Sequence, residues 1–311
     1  MLEMPKKGFQ PSVEKHNVSL PVLCDWIEAC VAFSDEAMSV NDFVDVLHEN
    51  SIYHDQSMAH EMLSIAWSEL DRRSRSMGDG TPFRVHQKRI TASYDWKHNP
   101  AYSFCLLLGA QVIYKEWARQ FGSDFTEQGT LFEELTAAAL EAFGWDVLHT
   151  GWSKGNTGKI KDVVEGVCIH VGEPQIEGMV EKWISEYANE EQLDIVCTDP
   201  YFDGLGGRAL FLFQCASGGN WTKKLHTPDP RTWMRIIDFT TSPQRGFSMP
   251  FGLPPKEFTL TAGKVDGIFL DRYRLQSPAY DGDFDWLPGD LKSRLVSWMK
   301  PRISALSEIE I

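Results

Sequence analysis

Residues 193–216, LDIVCTDPYFDGLGGRALFLFQCA, decide the fold. Two apolar runs, LDIVCT and RALFLFQCA, flank a turn-rich DPYFDGLGG, so the segment predicts two strands joined by a loop. The second run is apolar enough to be a central strand covered on both faces. Working outward, EPQIEGMVEKWISEYANEE (173–191) carries Pro174 near its first turn and Ile176, Met179, Val180, Trp183 and Tyr187 on one face, which predicts a helix. WDVLHTGW (145–152) reads as a short strand, and GTLFEELTAAALEAFGW (129–145) as a helix. Alternation of this kind predicts a mixed α/β sheet flanked by helices. Beyond about residue 228 the chain is rich in Pro and Gly. It offers one clear strand, GIFLDRYRL (267–275), and a closing helix over 289–306, read as an extension of the α/β domain.

The first 122 residues have a different character. Helical spacing is carried by Leu20, Leu23, Trp26, Ile27, Cys30 and Phe33, then by a segment from Ser39 to His48. A third stretch, 56–74, is marked by Met58, Met62, Ile65, Ala66 and Leu70. MGDG ends that pattern, TPFRVHQKRI reads as a hairpin, and the apolar stretch 100–121 predicts a buried helix. Helix, helix, long helix and hairpin is the outline of a winged helix. Residues 71–89 concentrate Arg72, Arg73, Arg75, Arg84, Lys88 and Arg89 against Asp71 and Asp79. That patch is a candidate nucleic-acid face, or alternatively a solvated helix end that complements its dipole. The expected division is therefore 1–122 and 123–311.

Composition sets limits. Hydrophobic residues make up 42% and charged residues 24% of the 311, which excludes a wholly disordered or collagen-like chain. No apolar run reaches the roughly 20 residues of a membrane span, and residues 1–17 lack a signal-peptide core, so a cytoplasmic protein without membrane contact is expected. Six cysteines without a CxxC pair point to reduced thiols. The net charge of −14 opposes a polyanion. Nucleic-acid chemistry therefore needs a local basic face, a divalent metal or a partner subunit.

Three features carry chemistry. On the helix with Phe132, Leu135, Ala139 and Phe143 as its buried stripe, Glu133 lies about 100° from the centre, at the margin of the core, whereas Glu134 turns to water. Asp194 is the only charged residue in LDIVC, and a lone carboxylate in an apolar strand is costly unless it meets a metal or a donor. Gln214 ends its apolar run, and its amide oxygen with the Cys215 carbonyl offers the oxygen ligands that Mg²⁺ accepts.

In this order the three features resemble the PD-(D/E)XK, or restriction-endonuclease-like, nuclease superfamily. Gly129, Phe132-Glu133 and Leu135 match its helix motif, Asp194 its acidic strand position, and Gln214 its Glu/Gln position. The resemblance spans about residues 126–225. It implies a restriction-endonuclease-like core and Mg²⁺- or Mn²⁺-dependent hydrolysis of DNA phosphodiesters, with RNA open. Glu133, Asp194, Gln214 and the Cys215 carbonyl would serve as ligands. Ala216 stands where that family carries lysine, so Lys223 or Lys224 is the expected substitute, with Lys159 and Lys161 a further source. Asn220 and Trp221, in the SGGNW turn, are expected near a phosphate. Cutting both strands implies a homodimer, and the acidic balance implies gating by a partner, as in a prokaryotic restriction or anti-phage defence complex. The alternative is a catalytically silent nuclease fold that binds DNA or scaffolds such a complex.

Other readings are weaker. QCASGGNW admits a cysteine hydrolase built on Cys215 with His149, His170 or His226 as base. Asp199 and Asp203 are candidates for a second metal. Arg272 and Arg274, on one face of the 267–275 strand, are either a phosphate clamp or partners for surface acids.

Overall fold

The structure is a computed structural model that describes residues 2, 18–34, 37–114, 120–122, 125–150, 160–183 and 192–306. Helices and strands follow in chain order: α1 (Leu20–Ser34), β1 (Met38–Ser39), α2 (Val40–Glu49), α3 (Gln56–Ser76), β2 (Phe83–His86), β3 (Arg89–Ala92) and α4 (Pro100–Ile113). Next come α5 (Thr126–Ala142), β4 (Asp146–His149), α6 (Ile160–Val171), α7 (Met179–Trp183), β5 (Ile195–Thr198) and β6 (Leu210–Cys215). The remainder is α8 (Pro230–Trp233), β7 (Gln244–Ser248), α9 (Pro255–Val265), β8 (Gly267–Leu270), α10 (Arg272–Leu275) and α11 (Gly289–Leu306). No helix among the described residues is long and apolar enough to cross a membrane.

The chain forms two compact units. The first comprises Met1–Ser123, Pro250–Pro254 and Arg272–Ile311; the second comprises Asp124–Met249 and Pro255–Asp271. The closing helix therefore belongs to the first unit, where the sequence reading had attached it to the α/β domain. Its Trp298 packs edge-on against Phe104 of α4, with ring centroids 5.1 Å apart.

In the first unit, Ser39 opens α2 with a capping box. Its hydroxyl accepts the Asp42 N–H at 3.3 Å, and Asp42 accepts the Ser39 N–H at 2.6 Å. Strands pair antiparallel in the order β1-β3-β2. Trp26, Phe43 and Trp67 make successive edge contacts at 5.4 and 5.8 Å, joining α1, α2 and α3.

That unit also buries charge. Arg73 is fully buried, with Nη1 2.9 Å from Asp25 and 2.7 Å from Glu28, and Nε 3.0 Å from Glu69. Arg272 is fully buried too, with Nη2 2.9 Å from Asp25 and Nε donating to the Pro250 carbonyl at 2.9 Å. Glu28 also accepts the Tyr102 hydroxyl. A Cβ on Gly109 would lie 2.9 Å from both Arg272 and Asp25, so α4 carries glycine where it faces this cluster.

These positions correct two expectations. Arg73 is unavailable to nucleic acid, because desolvating a guanidinium requires the carboxylates that surround it. Arg272 clamps no phosphate for the same reason. The single strand expected over 267–275 ends at Leu270, and 272–275 is helical.

In the second unit the sheet order is β4-β5-β6-β7-β8. The pairs β4–β5 and β5–β6 are antiparallel, while β6–β7 and β7–β8 are parallel. Every residue of β6 is buried, as expected for a strand covered on both faces. Leu210 and Leu212 join Val196 in a cluster with Val163, Val164 and Val167 of α6 and with Trp233. Phe211 turns to the other face, against Trp145 at 5.2 Å. Helix α6 and strand β7 were missed: KIKDVVEGVCIHV follows a glycine-rich run, and QRGFS is short and half polar. The long helix expected over 173–191 is described as helix only over 179–183, and 184–191 lie outside the described residues.

Two predictions follow from this packing. Arg73→Met should destabilise the first unit by about 3–5 kcal/mol, because it leaves the buried carboxylates of Asp25, Glu28 and Glu69 with only Arg272 and Arg72 to offset them. Arg72→Ala, at a half-exposed ion pair, should cost less than about 1 kcal/mol, and urea titration distinguishes the two. In the second unit, a Cβ on Gly246 would lie 2.4 Å from the Phe213 ring, whereas Gly129 in α5 faces open space. Gly246→Ala should therefore cost about 1–3 kcal/mol by overpacking, and Gly129→Ala should gain about 0.5–1 kcal/mol of helix stability, both read from melting curves.

Candidate functional site

The site lies in the second unit, at the end of the sheet where β5 begins and β6 finishes. One step beyond the Ile195–Phe213 pair, the Asp194 N–H donates to the Phe213 carbonyl at 2.9 Å. The next rung of the ladder uses a side chain. Asp194 Oδ2 accepts the Cys215 N–H at 2.6 Å and Gln214 Nε2 at 2.5 Å. The Leu193 carbonyl instead accepts the Thr150 hydroxyl at 2.7 Å. Asp194 is only 5% exposed and Gln214 only 4%, so these donors compensate a carboxylate largely removed from water. Gln214 Oε1 lies 3.3 Å from the Thr227 hydroxyl, which also donates to the Lys224 carbonyl at 2.7 Å.

Strand parity puts Asp194 and Gln214 at the end of the row formed by Val196 and Leu212. Cys215 turns to the opposite face, beside α5. Its thiol is pushed well above the ordinary range by burial, then by the charges of Asp194 and Glu133, against hydrogen bonds from Ser248 and Thr136. Both carboxylates therefore reach the same atom electrostatically. Glu133 Oε2 lies 3.2 Å from His149 Nε2, and Thr136 Oγ1 lies 3.0 Å from Ser248 Oγ. Glu134, expected to face water, is half-buried like Glu133.

Asp194, Gln214 and Cys215 are thus joined directly, and Glu133 lies near Cys215 on the α5 face, with one oxygen on His149. Lys223 is exposed and Lys224 half-buried in the turn after β6; Lys224 reaches Gln214 through its main chain and Thr227. Asn220 is exposed, and half-buried Trp221 opens a 3-10 turn that ends at Lys223. Lys161 pairs with Glu181 at 2.5 Å, and Lys159 lies outside the described residues. Asp203 pairs with Arg208 at 3.4 Å, and Asp199 accepts the Ala209 N–H at 3.0 Å.

A cysteine nucleophile does not suit these surroundings. The Cys215 thiol is buried, its polar contacts are hydroxyls, and two nearby carboxylates disfavour the thiolate. Among the described residues no group of three or more His, Cys, Asp or Glu is placed to hold a metal ion. The oxygen donors present are the Asp194 carboxylate, the Gln214 amide and the Cys215 carbonyl. Their chemistry fits a hard divalent cation, provided Gln214 offers oxygen in place of nitrogen.

The sequence reading missed His149 as a partner of Glu133, and it missed Thr136, Thr227 and Ser248 altogether. Thr136 had a usable signal, because it follows Glu133 by three residues toward the buried stripe. Thr227 and Ser248 had none, since hydroxyls in loops and at strand ends are common.

In the first unit the candidate nucleic-acid residues separate. Arg72 is held by Glu69 at 2.7 Å, and exposed Arg75 pairs with Asp71. Lys88 occupies the exposed β2–β3 turn beside Gln87, whose φ is 52°. Arg89 pairs with His86 across the hairpin, and Arg84 lies two residues before His86 on the same face; all three are exposed.

Comparison of the chain with known protein families, with characterised proteins and with solved structures gives no match.

Proposed function

We propose that the second unit is a metal-dependent nuclease of PD-(D/E)XK type that hydrolyses DNA phosphodiesters. The observation that carries this reading is the Asp194–Gln214–Cys215 junction, where the acidic strand position meets the Glu/Gln position across adjacent antiparallel strands. Support also comes from the sheet: the helix bearing Glu133 precedes β4, β5 and β6, which pair antiparallel with α6 and α7 inserted between β4 and β5, and β7, reached through α8, runs parallel to β6.

Asp194, Gln214 Oε1 and the Cys215 carbonyl would hold Mg²⁺ or Mn²⁺, with Glu133, bound to His149 on the α5 face near Cys215, the proposed further carboxylate. When bound, the ion polarises the phosphate and lowers the pKa of a bound water. Lys224, whose main-chain carbonyl accepts the Thr227 hydroxyl beside Gln214, or its neighbour Lys223 is the proposed amine for charge in the transition state. The first unit, with its helix-strand-helix-helix-hairpin order, is a winged helix in this proposal. Its hairpin residues Arg84, Lys88 and Arg89 contact phosphates. A homodimer or a defence-complex partner would supply the second cut.

A second reading, the catalytically silent module, is favoured by Ala216, buried where the family's lysine would stand, and by the two N–H donors already on Asp194. Plasmid cleavage separates the two. Wild-type protein with Mg²⁺ or Mn²⁺ should nick DNA, EDTA and Asp194→Ala should each reduce cleavage to background, and Cys215→Ser should retain it. No cleavage, with DNA binding that survives both EDTA and Asp194→Ala, would favour the silent module.

The hairpin carries its own prediction. Reversing Lys88 and Arg89 to Glu should weaken DNA binding alike across sequences and lower the slope of log affinity against log salt by about 0.9 per lost phosphate contact. Unchanged affinity would remove the hairpin from the interface.

A further inference from the structure

We infer that Thr227 is a positioning residue that lets the Gln214 amide turn its oxygen toward Asp194 when a divalent cation enters; this rests on the metal-dependent reading above. Gln214 Nε2 faces the carboxylate, 2.5 Å from Asp194 Oδ2 and 3.4 Å from the Cys215 carbonyl. Its other end is loosely held. Gln214 Oε1 is 3.3 Å from Thr227 Oγ1, but that hydroxyl lies 2.7 Å from the Lys224 carbonyl. A threonine hydroxyl carries one proton and two lone pairs, so the nearer carbonyl takes the proton.

A half-turn of the amide exchanges its two ends. Nε2 then donates to a lone pair of Thr227 Oγ1, while the hydroxyl keeps its bond to Lys224. The Cys215 N–H stays on Asp194. The unfavourable contacts created are those of Gln214 Oε1 with Asp194 Oδ2 and, at longer range, with the Cys215 carbonyl, oxygens with no proton between them. A cation lying against these oxygens converts that repulsion into shared coordination. Without a cation, the nitrogen belongs toward Asp194; with one, the oxygen does. Thr227 serves both states because its hydroxyl accepts as readily as it donates.

Valine has the same shape and cannot accept. In the cation-free state Thr227→Val removes only the long contact to Oε1 and one of two donors to the Lys224 carbonyl, whose other donor is the Thr227 N–H at 3.0 Å. In the cation-bound state it leaves the Gln214 amide N–H buried without a partner, so the penalty falls on metal binding.

The test is Mg²⁺ titration of the full chain by calorimetry, with the side-chain amide resonances followed in parallel by NMR. The Gln214 signal is identified by its loss in Gln214→Glu. Thr227→Val should weaken Mg²⁺ binding roughly 10- to 100-fold, as loss of an outer-shell partner typically does. Thr227→Ser should restore it, and Mg²⁺ should shift the Gln214 amide signal in the wild type. Equal affinity in Thr227→Val, or a stationary Gln214 signal while Mg²⁺ binds and Asp194→Asn abolishes binding, would overturn the inference alone. No Mg²⁺ binding by the wild type, or binding unaffected by Asp194→Asn, would overturn the metal-dependent reading and this inference with it. Should Thr227→Val fail to fold, the wild-type amide signal decides.

Discussion

A carboxylate that completes a backbone ladder organises the second unit. Where β5 and β6 would continue pairing, Asp194 offers its side chain to the Cys215 N–H and so ends the β5–β6 ladder at that point. The displaced Leu193 carbonyl turns to Thr150, which fixes the exit of β4. The same oxygen accepts Gln214, whose far end meets Thr227 and through it the turn carrying Lys224. One buried charge thus sets the positions of four segments. It also explains the abundance of hydroxyls nearby: an anion in an apolar sheet must be answered by donors, and neighbouring main-chain groups by donors of their own.

The first unit meets the same constraint with whole ion pairs. Asp25, Glu28 and Glu69 surround Arg73, and Arg272 from the last stretch of chain closes on Asp25 and Glu28. Such a cluster contributes little net stability when complete and costs heavily when one member is removed. Its consequence is topological. The segment from Arg272 onward is committed to the first unit by its guanidinium, although it follows directly on β8, which belongs to the second.

Much of the architecture was legible in sequence because its signals are local. Capping at Ser39, the apolar run of β6, the breaks at MGDG and the closing helix all follow from period, caps and turn residues within a few positions. Pairings over distance were not legible. Arg72, Arg73 and Arg75 look alike in a linear patch, yet one is fully buried, one half-exposed and one open to water. Arg272 and Arg274 share a strand face by parity, but a single helical turn separates their fates. At the site, Asp194 and Gln214 stood out because each interrupts an apolar run. Thr227 and Ser248 matter only through contacts that no spacing rule anticipates.

The distribution of arginine bears on how an acidic protein can approach a polyanion at all. At a net charge of −14 the long-range field repels DNA, and surface cations beyond a Debye length of about 8 Å from the contact do little to offset it at physiological salt. Arg73 and Arg272 are withdrawn into the core, Arg72 is held by Glu69, and Arg75 is paired with Asp71. Among the described residues, the β2–β3 hairpin presents exposed Arg84, Lys88 and Arg89 with no acidic residue between them in sequence. Contact with a polyanion is then restricted to a small surface and becomes steeply dependent on salt. A buried carboxylate site adds to this restriction, since two anions meet there unless a cation intervenes. For the proposed nuclease, this charge pattern means that a phosphate reaches the carboxylate site only with a cation to offset the charge, and it disfavours nonspecific coating of the duplex.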